Sequence, residues 1–221
     1  MKNALFLMIF VVFGLARQDY AEMIDLNSTR MKKIFESVKI ECENGNFNKC
    51  NTLAKFYSDE KYAKSINLKL DFKKAKELSK IACESGNNAI ACINLAFYKG
   101  DILTKQIQNK EIFKKGFDEL RKKCDDKNGL ACYQMALWQN RCNGTHECFE
   151  VLPKNKNMVE IHLEKFEKLT KQSCQNGEKM DCIKLINCYN GTFGICQKDE
   201  NSENKADDIW RIYMSITEKG K

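Results

Sequence analysis

The stretch Asp71-Phe-Lys-Lys-Ala75-Lys-Glu-Leu-Ser-Lys-Ile-Ala82-Cys83-Glu-Ser-Gly86-Asn-Asn-Ala-Ile-Ala91-Cys92 decides the fold. On one continuous helix, cysteines at this spacing would lie roughly 13.5 Å apart along the axis. A disulfide needs α-carbons within about 7 Å. If Cys83 and Cys92 are joined, the backbone must reverse between them. Glu84-Ser-Gly86-Asn supplies the chemistry, because Gly or Asn takes the left-handed conformation that ends a helix. The stretch therefore reads as a helix, a tight turn and a second helix, stapled across the turn.

The same pattern recurs along the chain. The twelve cysteines fall in order into the pairs Cys42/Cys50, Cys83/Cys92, Cys124/Cys132, Cys142/Cys148, Cys174/Cys182 and Cys188/Cys196. Turn residues stand between the members of the others too: Glu43-Asn-Gly45-Asn, Asp125-Asp-Lys-Asn-Gly129 and Gln175-Asn-Gly177. The first cysteines of the main units stand 41, 41 and 50 residues apart. Eleven residues before them are the apolar Met31, Phe72, Phe113 and Leu163. After the second cysteines come Leu53, Leu95, Met135 and Leu185, then Ala54, Ala96, Ala136 and Ile186, then Phe56, Tyr98, Trp138 and Cys188. Such offsets make one apolar helix face with a small residue for close approach. A helix-pair repeat near forty residues is the signature of an α-solenoid. Zinc is the rival use of so many cysteines, but zinc sites favour ligands two to four apart, and no Cys-x-x-Cys occurs.

The rest of the composition agrees. One proline, Pro153, in 221 residues suits long helices with short joints. Lys2, the apolar run Ala4 to Ala16 and the small residues Gly14 and Ala16 fit a secretory signal cleaved after Ala16. That run is short of the ~20 residues a membrane span needs. The expected organisation is a signal at 1–16, a lead-in at 17–30 and repeats over 31–200 with an insertion at about 140–157. A capping helix at 201–221 completes it, with an apolar stripe of Ile209, Trp210, Tyr213, Met214 and Ile216. A periplasmic or secreted location and a disulfide framework follow. Net charge is +7, but acidic and basic residues are mixed as on a solvated helix face, which gives no nucleic-acid footprint. No stable membrane insertion is expected after cleavage. No cofactor, metal or catalytic residue is assigned.

The quoted stretch, continued by Ile93-Asn-Leu95-Ala-Phe-Tyr98, resembles one unit of the Sel1-like repeat proteins. More narrowly, it resembles the Helicobacter cysteine-rich protein family, secreted or periplasmic proteins of ε-proteobacteria. The resemblance covers about residues 31–196 and is sharpest in the second repeat. It implies an all-α, right-handed superhelix of TPR-like antiparallel helix pairs, each locked by a disulfide. It also implies β-lactam binding and weak β-lactamase activity. A serine lactamase needs Ser-x-x-Lys with Ser-Asp-Asn and Lys-Thr-Gly partners. Ser58-Asp-Glu-Lys61 and Ser202-Glu-Asn-Lys205 match only the first of these. The two histidines, His146 and His162, form no ligand set and are expected at the surface. Asp25-Leu-Asn27-Ser-Thr29 resembles the extended acceptor of bacterial N-glycosylation, with Asn27 as the acceptor. The reading that results is a scaffold binding a protein or peptide. The alternative is a hydrolase acting on β-lactams or cell-wall fragments.

Overall fold

The computed structural model describes residues 28–104, 106–143, 152, 155–191, 195–196 and 199–218. Among these, helices α1 (28–43), α2 (Phe47–Ser58), α3 (Glu60–Ser65), α4 (Phe72–Glu84) and α5 (Ala89–Leu95) come first. A two-stranded antiparallel sheet of β1 (Tyr98–Lys99) and β2 (Ile102–Leu103) follows them. Helices α6 (Lys110–Asp125), α7 (Gly129–Asn143), α8 (Lys156–Gln175), α9 (Lys179–Tyr189) and α10 (Ser202–Glu218) complete the chain. It divides into two compact units, the first ending at Thr104 and the second beginning at Lys105. The signal at 1–16, most of the lead-in, Asn27, His146 and Cys148 lie outside the described residues.

Four of the cysteine pairs clasp a helical reversal. The α-carbon separations are 4.9 Å for Cys42–Cys50 between α1 and α2, and 4.7 Å for Cys83–Cys92 between α4 and α5. They are 4.8 Å for Cys124–Cys132 between α6 and α7, and 4.8 Å for Cys174–Cys182 between α8 and α9. Cys188–Cys196, at 5.2 Å, ties the end of α9 to the segment leading into α10. Cys142 is also disulfide-bonded.

The turns share one hydrogen-bond scheme. The N–H of Gly45 donates to the carbonyl of Cys42 (3.2 Å), and that of Asn46 donates to Glu41 (2.9 Å). Lys127 and Asn128 repeat this onto Cys124 and Lys123, as do Gly177 and Glu178 onto Cys174 and Ser173. These paired bonds are those of a Schellman motif, which satisfies the last carbonyls of the helix. The left-handed residues are Gly45, Lys127 and Gly177. The second turn has one more residue, and Asn87 is left-handed there. Asn88 and Asn128 then cap the following helices, their side chains accepting from Ala91 and Ala131.

Two glycines expected in turn conformations do something else. Gly86 and Gly129 are not left-handed. They stand where a side chain would collide. A Cβ on Gly86 would meet the Ala82 carbonyl at 2.8 Å and Phe47 Cβ at 2.9 Å, and one on Gly129 would meet Thr170 Oγ1 at 2.4 Å. The left-handed place in the Gly129 turn is taken by Lys127 at φ 65°, a conformation costing a residue with a Cβ about 1–2 kcal/mol. Lys127→Gly should therefore stabilise the oxidised protein by about 0.5–1 kcal/mol, after the larger backbone entropy of glycine is discounted. Urea unfolding would show the midpoint rise; an unchanged midpoint would mean the turn carries no such strain.

Successive hairpins touch within each unit. In the first unit Asn88 Nδ2 donates to Asn48 Oδ1 at 3.1 Å, across 40 residues. In the second, Lys165 Nζ donates to Asp125 Oδ1 at 2.8 Å, again across 40. The first helices α4, α6 and α8 bury positions eight, four and zero before their cysteine: Ala75, Ser79 and Cys83, then Gly116, Leu120 and Cys124, then Phe166, Thr170 and Cys174, whereas Ile34 at the first of these places in α1 is exposed. The second helices bury Leu53, Ala54 and Phe56, and Met135, Ala136 and Trp138.

Several expectations are corrected. Of the residues eleven before the cysteines, only Phe113 is fully buried, between the rings of Phe117 and Trp138; Met31, Phe72 and Leu163 are half-buried. Helix α1 already includes residues 28–30, because Arg30 and Met31 favour helix. Helix α7 runs to Asn143, into the expected insertion, because Gln139 and Cys142 are buried by packing. The chain is not wholly helical: α5 stops at Leu95, and Tyr98 enters a strand whose reversal uses Gly100 at φ 58°. On α10 only Ile209 of the expected stripe is fully buried. Trp210 is 51% exposed and stacks on Tyr213 at 5.3 Å.

Candidate functional site

A cleft of about 430 Å³ opens within the second unit. Helical periodicity builds it. Helix α6 contributes Phe117, Arg121, Cys124 and Asp125, spaced so that one face points inward. Helix α7 contributes Met135 and Gln139, one turn apart, and α8 contributes Met158, Ile161, His162 and Lys165. Leu152 and Asn155, just ahead of α8, complete the wall. The side chain of Asn155 also caps α8, accepting from the N–H of Asn157 at 3.1 Å.

The charged groups form one cluster. Lys165 bonds Asp125 at 2.8 Å, and Arg121 pairs with Asp118 at 3.0 Å on the outer side of α6. Lys165 is the main cause holding the Asp125 carboxyl below its usual value. His162 is 7% exposed, which corrects the expectation of a surface histidine. It falls one turn before Phe166 on the buried side of α8. Its Nδ1 is enclosed without a hydrogen-bond partner. Burial is the main influence depressing the His162 pKa; Lys165 and Arg121 add to it, and Asp125 opposes them.

A stability consequence follows. The unfolded chain binds a proton at this histidine near pH 6.5, while the fold resists doing so until lower pH. Stability from this group is therefore complete above about pH 6.5 and is lost as the pH falls through the depressed folded value. His162→Leu should shrink the drop in urea midpoint between about pH 7.5 and about pH 5. An equal drop in the variant would remove His162 as its source.

The serines considered for catalysis are held elsewhere. Ser58 Oγ donates to the Ala54 carbonyl at 3.0 Å, and Asp59 interrupts the helix between α2 and α3, so Lys61 lies on a separate helix. Ser202 is 2% exposed; its Oγ donates to Asp199 Oδ1 and accepts from the Asp199 N–H, both at 2.8 Å. Lys205 pairs with the same Asp199. Ser58 and Ser202 belong to different units. Cysteines oxidised to one another have no thiolate to offer a metal.

Fold and site together define a largely helical, disulfide-clasped hairpin protein with an amphipathic cleft in its second unit. No family model, curated protein or solved structure matches the chain. The five disulfides between described residues suit an oxidising periplasmic or extracellular setting. No described helix is long and apolar enough to cross a membrane.

Proposed function

We propose that this chain is an exported scaffold that binds a protein or peptide, its hairpins stacking as a Sel1-like α-solenoid. The observation that carries the reading is the cleft of the second unit, whose apolar wall and charged rim are those of a recognition pocket. The contacts between successive hairpins within each unit support stacking, because each repeat of such a protein packs on its neighbour. Signal cleavage and release to the periplasm or exterior belong to the same proposal, supported by the disulfides.

Peptide display against the oxidised chain tests it. Selection should enrich peptides that compete for one site and lose binding to Ile161→Glu. Ile161 lines the cleft but is exposed, so a charge there blocks the pocket without entering the core. Affinity for the selected peptides should fall by roughly tenfold or more, the effect of about 1.4 kcal/mol. Enrichment indifferent to Ile161→Glu, or none at all, would overturn the reading.

A further inference from the structure

We infer that the cleft of the second unit recognises the free C-terminal end of a peptide whose last residue is large and apolar. This rests on the scaffold reading and names what the scaffold holds. Apolar contact comes from Phe117, Met135, Leu152, Met158 and Ile161, and the volume of about 430 Å³ lies in the range of small-ligand pockets. The cleft suits one bulky side chain rather than an extended segment.

The charge on the wall selects the other half of the ligand. Arg121 and Lys165 face it with one carboxylate of the lining, Asp125, which is bonded to Lys165; Arg121 shares Asp118, outside the lining, with Lys114, and His162 stands beside them as a neutral ring. Three cations, Lys114, Arg121 and Lys165, against two anions call for one more negative charge. A carboxylate supplies it, whereas a phosphate dianion would leave a negative charge uncompensated next to Asp125. The existing pairs of Arg121 and Lys165 are half-exposed surface pairs, which exchange at little cost. A carboxylate lodged in the cleft can share both cations through charge-assisted hydrogen bonds. The amide side chains of Gln139 and Asn155 lie on the same wall. Polar groups on the wall suit the last peptide unit better than an alkyl chain. That favours a peptide terminus over a fatty acid.

The test uses the oxidised full chain and three probes: N-acetyl-glycyl-phenylalanine as the free acid, the same compound as its C-terminal amide, and octanoate. Calorimetry gives affinity, and amide spectra of α6 and α8 report the place. The acid should bind and shift signals near Arg121, His162 and Lys165, with the amide weaker by roughly tenfold or more. Arg121→Gln with Lys165→Gln should weaken the acid by a similar factor. Arg121→Lys with Lys165→Arg should restore most of it, and near-UV dichroism should be unchanged in both. Equal binding of acid and amide, or indifference to the glutamine pair, would overturn the carboxylate assignment. Octanoate binding as tightly as the peptide acid would overturn the peptide occupant in favour of a fatty acid. Silence from all three probes overturns this inference; the scaffold reading stands or falls on the display selection.

Discussion

Treating the folded chain with a thiol reductant, then alkylating it, should lower the thermal midpoint of the second unit by at least about 20 °C, or leave it unfolded at room temperature. Each bridge of Cys124–Cys132, Cys174–Cys182 and Cys188–Cys196 closes a loop with a sequence separation of 8 residues. In the chain-entropy model such a loop restrains the unfolded chain by about 2.5 kcal/mol. Three of them amount to roughly 7 kcal/mol, against the roughly 5–15 kcal/mol that holds a typical domain. The bridges are not equivalent. Cys124 and Cys132 are buried in the hairpin core, whereas Cys196 is half-buried at the end of a loop. Replacing Cys124 and Cys132 together by alanine removes the restraint and also leaves a small void, so about 3–4 kcal/mol should be lost. The same change at Cys188 and Cys196 should cost about 2–3 kcal/mol, mostly through the restraint. Urea unfolding of each double variant against the parent separates these. A reduced chain that keeps its midpoint would show that packing alone carries the fold.

How much of this was readable in the residues depends on the kind of information each carries. The helical reversals were legible because a disulfide has a hard distance limit and the helix a fixed rise, so joining Cys83 to Cys92 dictated a turn between them. Five pairs in the structure obey that argument. The roles of the glycines were not legible. Gly86 and Gly129 look like turn residues in sequence, yet what decides them is a neighbour about forty residues away: Phe47 for one and Thr170 for the other. The left-handed place fell instead to Asn87 and Lys127, and no local propensity favours lysine there. The strand pair after α5 had a signal, Gly100-Asp101, but the Leu95, Ala96, Tyr98 pattern of the repeat spoke for a longer helix. The cleft was half visible. Met158, Ile161, His162 and Lys165 have helical spacing, but only the packing of α8 shows that His162 is buried while Ile161 lines the cleft half-exposed. A pocket made by three helices has no signature in any one of them.

Gly129→Ala should be the most damaging single-methyl change in the second unit, costing about 1–3 kcal/mol although alanine is the better helix former. Gly129 is the first residue of α7, and the place of its missing side chain faces Thr170 of α8. The added Cβ would lie 2.4 Å from Thr170 Oγ1 and 3.3 Å from the Thr170 backbone nitrogen. The first contact belongs to a side chain and the second to the backbone of α8, so the two helices must part or tilt to relieve both. Thr170 is buried, and its γ atoms cannot swing into solvent to make room. A double-mutant cycle isolates this clash from other effects. Thr170→Ala alone should destabilise by about 1–2 kcal/mol through lost packing. In the Gly129→Ala background it should cost less, or even stabilise, because it removes the nearer obstacle, giving a favourable coupling of about 1 kcal/mol. The rescue should stay incomplete, since the backbone nitrogen remains. Gly45→Ala provides the contrast: it has φ 90° and open space around it, so its cost is conformational, and Thr170→Ala cannot repair it. Additive costs for Gly129→Ala and Thr170→Ala would mean that the two hairpins do not meet at this glycine.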